Sequence, residues 1–208
     1  MGFLDSILGR SRPVRPDLDR LFGLPGAALT LQAGTGFVPT GAGAVCFAAV
    51  EGGAFARLKE EVRELLDVDE EAAGGPVAYS GDAYGYTWLT VRRPSDDLVT
   101  LVNDLHAVNT LLEEAGFGPD LLCSLTSFRA AGGEGSGEAD GHRARELALV
   151  YLYKRGTFYP FAPRADRSES RDNVLELQVR SLLGGDLAME PETDRWFPLW
   201  GAPVLGGG

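Results

Sequence analysis

The spacing of apolar and polar residues predicts three amphipathic helices, each with charged residues on its outer face. They cover residues 53–67, about 95–115 and about 172–183. The middle helix has the clearest ends, because Ser95 is a suitable N-cap and Gly116 a suitable C-terminal glycine. In the last helix, Glu176 and Arg180 have the i,i+4 spacing of a supporting ion pair.

Shorter apolar runs between and before these helices predict strands. They cover residues 27–32, 44–50, 77–80, 84–93, 121–129, 147–154 and 157–161. Apolar groups occupy both alternating sets of the 84–93 run, which predicts a central strand covered on both faces. Hairpins therefore alternate with helices, and this order predicts an α+β fold with a largely antiparallel sheet and three main helices. In topology, residues 53–183 resemble type III secretion chaperone-like domains.

The chain divides into three parts by composition. Residues 1–26 join a short amphipathic segment to a basic, proline-rich linker, residues 27–185 form a single α+β domain with a flexible loop at 130–146, and residues 186–208 form an aromatic tail expected to pack on the domain. Four apolar residues of the first segment share a helical spacing: Phe3, Leu4, Ile7 and Leu8. Ten residues are too few for a stable isolated helix, so we expect this segment to fold only against a partner or a membrane surface.

The net charge of −11 over 208 residues disfavours nucleic-acid binding and general attachment to anionic lipid. No apolar run reaches the roughly 20 residues that a membrane-spanning helix needs, and the first residues lack the pattern of a secretory signal. These features predict a cytoplasmic protein whose membrane contact is at most peripheral, at the inner face. Cys46 and Cys123, in apolar runs, fit reduced core thiols in this setting.

The sequence contains no pattern typical of a catalytic, metal or cofactor site. His106 and His142 are the only histidines, and neither they nor the two cysteines have the close-paired spacing of zinc ligands. No glycine-rich phosphate-binding motif is present. We therefore predict no catalytic residues, no metal and no cofactor. A cysteine-dependent enzyme, with His106 meeting one of the thiols in space, is the weakest of the alternatives left open.

Two regions are candidates for binding. The run 147–163 is the densest apolar-aromatic stretch, and its rings are either core residues or, where alternation points them outward, contact residues beside a basic turn. The predicted partner-binding set is Tyr151, Tyr153, Lys154, Arg155, Tyr159 and Phe161. The alternative is a sensor of a small molecule or peptide, with a pocket between the 95–116 helix and the sheet around Tyr84 and Asn109.

Nine stretches spread along the chain resemble the PspA-associated protein PspAB, an actinobacterial family. They are residues 1–5, 15–19, 27–31, 52–55, 84–88, 104–109, 116–118, 151–161 and 195–203. The resemblance implies a role in the phage-shock envelope-stress response, in which a coiled-coil protein of the PspA type binds stressed membrane. It implies a PspA-type partner, an HtpX-type membrane metalloprotease as a further one, and no catalytic residues. The leading hypothesis is therefore a non-enzymatic adaptor or regulatory protein.

Overall fold

A computed structural model describes residues 16–48, 52–66, 77–131, 145–164 and 169–205. Within these ranges the α-helices are α1 (Leu24–Thr35), α2 (Gly53–Leu66), α3 (Leu98–Leu112) and α4 (Asn173–Leu183). The strands are β1 (Phe37–Ala48), β2 (Ala78–Gly81), β3 (Tyr86–Arg92), β4 (Leu121–Ala130), β5 (Glu146–Leu152) and β6 (Thr157–Phe161). They form one antiparallel sheet in the order β2-β3-β1-β4-β5-β6, which confirms the predicted α+β class.

Helix α1 corrects the sequence prediction, which gave a strand over residues 27–32 and three main helices rather than four. The alternation in Ala-Leu-Thr-Leu imitates a strand. The helix is favoured because Pro25 occupies its first turn, where no backbone donor is needed, and Gly36 ends it in the left-handed conformation with φ of 75°. Leu24 and Leu31, seven residues apart, are both buried on the inner face of the helix.

Strand β1 begins well before the predicted residues 44–50. Its first part pairs with the end of β4, as in Phe37 opposite Ala130, and the register shifts after Pro39. The bulge accommodates Gly41, whose φ is 77° and whose backbone approaches Arg93 closely. From the sequence, Pro39 and Gly41 predicted a loop. In the structure both residues are accommodated by the bulge of the strand.

The ends of α3 fall near the predicted positions, with a different N-cap. The carboxylate of Asp97, not the hydroxyl of Ser95, accepts the backbone N–H of Thr100 at 3.1 Å. Asp97 lies immediately before the first helical residue, so its side chain reaches the free donors of the first turn. Gly116 adopts φ of 89° after the helix, as its position predicted.

In α4 the predicted pair of Glu176 with Arg180 is replaced by other contacts. Glu176 is buried, and its Oε1 accepts the backbone N–H of Ala162 at 2.8 Å and the Nε–H of Arg171 at 2.9 Å. Arg180 donates to the carbonyl of Pro191 at 3.3 Å. The buried carboxylate therefore ties the helix to the end of β6, and the arginine ties it to the following tail.

All four helices share one core on one face of the sheet. Helix α3 lies closest to the strands because Gly43 has no side chain: a Cβ there would lie 2.9 Å from Leu105. Interior strand β3 is buried on both faces, as predicted, with Leu89 towards the helices and Trp88 towards the opposite side. No helix among the described residues is long and apolar enough to cross a bilayer.

The C-terminal tail covers part of the opposite face. It starts beside β6, where the backbone N–H of Phe158 donates to the carbonyl of Ala188 and the N–H of Glu190 donates to the carbonyl of Phe158. It then crosses the sheet, and Trp196, Ala202 and Val204 are buried in a second apolar cluster. The tail thereby pairs the free edge of β6 and leaves the other half of this face open.

Candidate binding pocket

A cavity of about 580 Å³ lies on the open half of the sheet face that the helices do not cover. Its floor is formed by strands, and its walls by the β2–β3 turn, the β5–β6 turn and the tail. Most of the lining is apolar or aromatic, with a few charged side chains around the mouth. Cavities of this size and character are typical of ligand sites, which makes it the candidate functional site.

The floor is one row of side chains across four neighbouring strands. Strand register places Trp88 of β3 opposite Cys46 of β1, Cys46 opposite Cys123 of β4, and Cys123 opposite Leu152 of β5. All four point to the same face, because directly opposed residues in antiparallel strands share a face. The two small thiols at the centre of the row leave depth between the larger Trp88 and Leu152.

Asp82 builds one wall by organising the turn between β2 and β3. Its Oδ1 accepts the backbone N–H groups of Tyr84 and Tyr86, at 2.8 and 2.9 Å, and its Oδ2 accepts the indole N–H of Trp88 at 2.8 Å. Partial burial acts to raise the pKa of Asp82, but these hydrogen bonds outweigh it, so the pKa lies below its ordinary value. The ionised carboxylate thus fixes the tryptophan at the edge of the floor.

Arg155 and Glu190 build the second wall through an ion pair. Glu190 is fully buried and accepts Arg155 Nε–H at 2.5 Å and Nη2–H at 3.0 Å, as well as the hydroxyl of Thr157 at 2.6 Å. The hydrogen bond to Glu190 is the main cause that raises the pKa of Arg155. This pair clamps the β5–β6 turn to the tail, so the arginine is held in the structure rather than free at the mouth.

Aromatic contacts hold the tail as the third wall. The ring of Tyr159 stacks on Trp196 with centroids 6.1 Å apart, and its hydroxyl donates to the carbonyl of Phe197 at 2.9 Å. Burial is the main cause that raises the pKa of Tyr159 well above its ordinary value, so the phenol stays a donor at neutral pH. Phe161 meets Trp200 edge to face at 5.0 Å. These contacts set the position of the tail residues that line the cavity.

The mouth of the cavity carries charge and exposed aromatic surface. Lys154 is exposed and makes no ion pair with any residue that the structure describes. Arg195 is paired with Glu192 at 2.7 Å in solvent. Tyr84 and Phe197 are both more than half exposed beside the opening. The arrangement suits a guest with an apolar or aromatic body and a negative group that reaches Lys154.

The rings of the predicted partner-binding set at residues 151–161 are not exposed in the structure. All four are buried: Tyr151, Tyr153, Tyr159 and Phe161. Alternation does direct two of them away from the helices, but the tail covers that side. Of the six predicted residues, only Lys154 is freely exposed, because Arg155 is held by Glu190. Tyr159 still contributes to the cavity as part of its lining.

The structure does not bring together Tyr84 and Asn109, the two residues of the predicted pocket, because the sheet separates them. Asn109 lies on the side of α3 that faces the sheet and is fully buried. Its Nδ2 donates to the carbonyl of Leu105 at 2.7 Å and to the hydroxyl of Ser124 at 2.8 Å. It ties the helix to β4. Tyr84 lies on the other face, where it lines the cavity described above.

His106 does not form the thiol–imidazole pair that the enzyme alternative requires. This side chain stacks on Phe22 at 4.7 Å and lies 3.3 Å from Asp19 on the outer side of the helix layer, whereas both thiols lie on the opposite face of the sheet. The remaining predicted features lie outside the described residues. They are His142, most of the 130–146 loop, and Phe3, Leu4, Ile7 and Leu8.

Several residues of the cavity were not identified from the sequence. Asp82 and Trp88 are the main ones, and a local signal existed: an aspartate three residues before Gly85 is typical of a tight turn whose carboxylate binds backbone amides. Leu122 and Trp200 carried no such signal. Their place depends on strand register and on the path of the tail, neither of which periodicity defines.

Fold and cavity together define the class: an α+β domain with helices on one face of an antiparallel sheet and a binding pocket on the other. Within that class, the chain belongs to the PspA associated protein B family (PspAB), whose sequence profile matches residues 1–204. The match confirms the resemblance found in the sequence, and the family's name implies association with PspA, which is consistent with an accessory role. No curated protein and no solved structure matches the chain.

Proposed function

We propose that this protein is a non-enzymatic adaptor or regulatory protein of a PspA-type envelope-stress response, and that it binds its partner through the open cavity. The observation that carries the proposal is the cavity of about 580 Å³ on the sheet face that no helix covers. Four helices already shield the other face, whereas this part of the sheet keeps an open cavity with a mostly apolar lining in the described structure. The name of the family suggests association with PspA, and this supports a PspA-type coiled-coil protein as the proposed partner.

The chemistry of the cavity supports one mode of binding. An apolar or aromatic side chain on a partner helix would enter the space above Trp88 and the two thiols, and an acidic residue one turn away would reach Lys154. The partly exposed ring of Trp200 and the exposed rings of Tyr84 and Phe197 provide rigid aromatic contact area of the kind that dominates interface energetics. Lys154 adds local charge complementarity although the chain as a whole carries −11.

Two further parts of the proposal concern catalysis and location. A binding role without catalysis is supported by the placement of His106, which the sheet separates from both thiols. We propose a cytoplasmic site of action, with residues 1–10 as a second contact to the partner or to the inner face of the membrane. An HtpX-type metalloprotease is a further candidate partner. Unchanged binding to partner and liposomes after deletion of residues 1–10 would remove this second contact.

The test of the first site is calorimetric titration with the PspA-type protein of the same genome. Leu122→Arg places a charged chain in the cavity, and we expect affinity to fall at least about tenfold, which corresponds to about 1.4 kcal/mol. Lys154→Glu should weaken binding about threefold to tenfold, more strongly at low salt. Arg155 is unsuitable for this test because its replacement would leave the buried carboxylate of Glu190 without its cationic partner and destabilise the fold.

The matched controls lie on the helix side of the molecule. Leu29→Arg places the same charge at an apolar residue that is 71% exposed on α1, and Arg57→Glu reverses an exposed charge on α2. Both should bind like the parent protein. Equal losses in test and control variants, or full affinity in Leu122→Arg with an unchanged melting temperature, would contradict the proposed site.

The runner-up function is a sensor of a small molecule or peptide in the same cavity. Its volume of about 580 Å³ favours this reading, because it lies within the roughly 300–1,000 Å³ of typical small-molecule sites. Native mass spectrometry of the protein from its own cells distinguishes the two functions. A bound small molecule that Leu122→Arg removes would support the sensor, whereas ligand-free protein that binds PspA-type protein would support the adaptor.

A further inference from the structure

The only two cysteines of the chain are directly opposed in the sheet. Cys46 of β1 and Cys123 of β4 are register partners, both are free, and both point into the floor of the cavity. Directly opposed residues in antiparallel strands have Cα atoms about 4.5–5.5 Å apart. That range lies within the roughly 4.4–6.8 Å found for disulfides, so the backbone already meets the main distance requirement for a bond.

The cavity gives small molecules a route to this pair. The two side chains are 3% and 4% exposed, and what remains of their surface faces the cavity rather than the helix-side core. The hydrogen bond between the two side chains and then burial raise the pKa of Cys46, consistent with two protonated thiols in contact. Because both thiols line the open cavity, a small neutral oxidant can reach the sulfurs without unfolding of the chain.

We propose that Cys46 and Cys123 form a redox modification site, in which a peroxide converts the dithiol to an intramolecular disulfide across the floor of the cavity. The sulfur of one thiol attacks the peroxide O–O bond and gives up its proton in the same step, so the bond breaks to leave a sulfenic acid and the departing hydroxide becomes one water. The second thiol then attacks the sulfenic sulfur, the S–S bond forms and a second water leaves. Each sulfur loses one electron, and hydrogen peroxide takes up both.

The disulfide would act on the cavity itself. It would link β1 to β4 in the central row of the floor, between Trp88 and Leu152, and it would remove both S–H groups. The sulfurs would move from contact distance to about 2.05 Å. The site is thus a chemical modification placed where it alters the shape of the cavity, and it stands whether or not the cavity binds a PspA-type protein.

The test is intact-mass analysis of reduced, folded full-length chain treated with hydrogen peroxide. Because there are only two cysteines, loss of two hydrogen masses in a monomer identifies the bond, and peptide mapping should join the peptides of Cys46 and Cys123. Dithiothreitol should restore both thiols. Cys46→Ser and Cys123→Ser should instead gain oxygen on the single remaining cysteine, which peptide mapping distinguishes from oxidation of the two methionines.

A second variant tests the route. Leu122→Trp should fill the cavity beside the thiols and slow disulfide formation severalfold in folded protein, but leave the rate in urea unchanged. Three results would overturn the proposal: stepwise oxygen addition to the parent chain without a disulfide, bond formation only after unfolding in urea, or a folded Leu122→Trp variant that oxidises as fast as the parent.

Discussion

Replacing Glu190 with glutamine should destabilise the fold by about 3 kcal/mol. The fully buried carboxylate binds Arg155 through two hydrogen bonds, at 2.5 and 3.0 Å, and also accepts the hydroxyl of Thr157. Removing one partner of a buried ion pair costs roughly 3–5 kcal/mol. The side chain of Arg155 is 29% exposed, and water can solvate part of its charge, so the lower end of that range applies.

Urea unfolding measures this cost. With an m-value of about 2 kcal/mol/M, a loss of about 3 kcal/mol lowers the midpoint by about 1.5 M. The matched control is Glu192→Gln, which removes a neighbouring carboxylate that is 56% exposed and lies 3.5 Å from the same arginine. We expect less than about 0.5 kcal/mol for the control, because exposed ion pairs contribute little.

The pH dependence supplies a second check. Burial acts to raise the pKa of Glu190, but hydrogen bonds from Arg155, Thr157 and the Glu192 amide outweigh it, so its pKa lies below the ordinary value of 4.5. A carboxyl with a lowered pKa contributes stability above its unfolded pKa and loses that contribution as the pH falls through its folded pKa. The difference in unfolding free energy between the parent protein and Glu190→Gln should therefore be constant near neutral pH and become smaller below about pH 4.5. A loss of stability equal to that of Glu192→Gln, or one that grows in acid, would show that Glu190 is not a buried, ionised partner of Arg155.

Two further predictions concern the tail and the β1 bulge. Trp196→Ala should cost about 3–5 kcal/mol in thermal or urea unfolding, because the buried ring stacks on a tyrosine and fills the second core, whereas Phe197→Ala, at a side chain 58% exposed, should cost under about 1 kcal/mol. Similar losses in the two variants would contradict the account of the tail. Gly41→Ala should prevent stable folding, since its Cβ would lie 2.0 Å from the carbonyl oxygen of Arg93. Gly36→Ala has a similar φ of 75° but meets no atom within 4 Å, so circular dichroism melting should show a loss of only about 1 kcal/mol; equal tolerance of both changes would count against the bulge.

The elements that the sequence predicted well have both an apolar periodicity and residues that mark their two ends. Helix α3 has an apolar stripe, a carboxylate before its first turn and Gly116 after its last, so local chemistry defines it. Helix α1 has small residues in place of a wide apolar stripe, and its Ala-Leu-Thr-Leu run alternates like a strand. Packing against α3 and α4, together with Pro25 at its start and Gly36 at its end, resolves that ambiguity in favour of the helix.

The cavity is harder to predict because its parts meet only in the folded chain. Alternation correctly implies that the rings near 151–161 point to both faces of the sheet, but it cannot tell which face is then covered. That depends on the tail, which has no periodicity and is positioned by Tyr159 and Glu190. Likewise, Cys46 and Cys123 lie far apart in the chain, and their pairing depends on the register between β1 and β4.

Hydrogen–deuterium exchange of the protein alone and in complex with the PspA-type protein shows whether the cavity is the binding site. We expect slower exchange in the complex at the segments that form the cavity: 82–88, 122–123, 152–156 and 195–200. Exchange on the outer faces of α2 and α3 should stay unchanged, because the helices already cover the other face of the sheet. Protection confined to the helix side, with none around the cavity, would contradict the account.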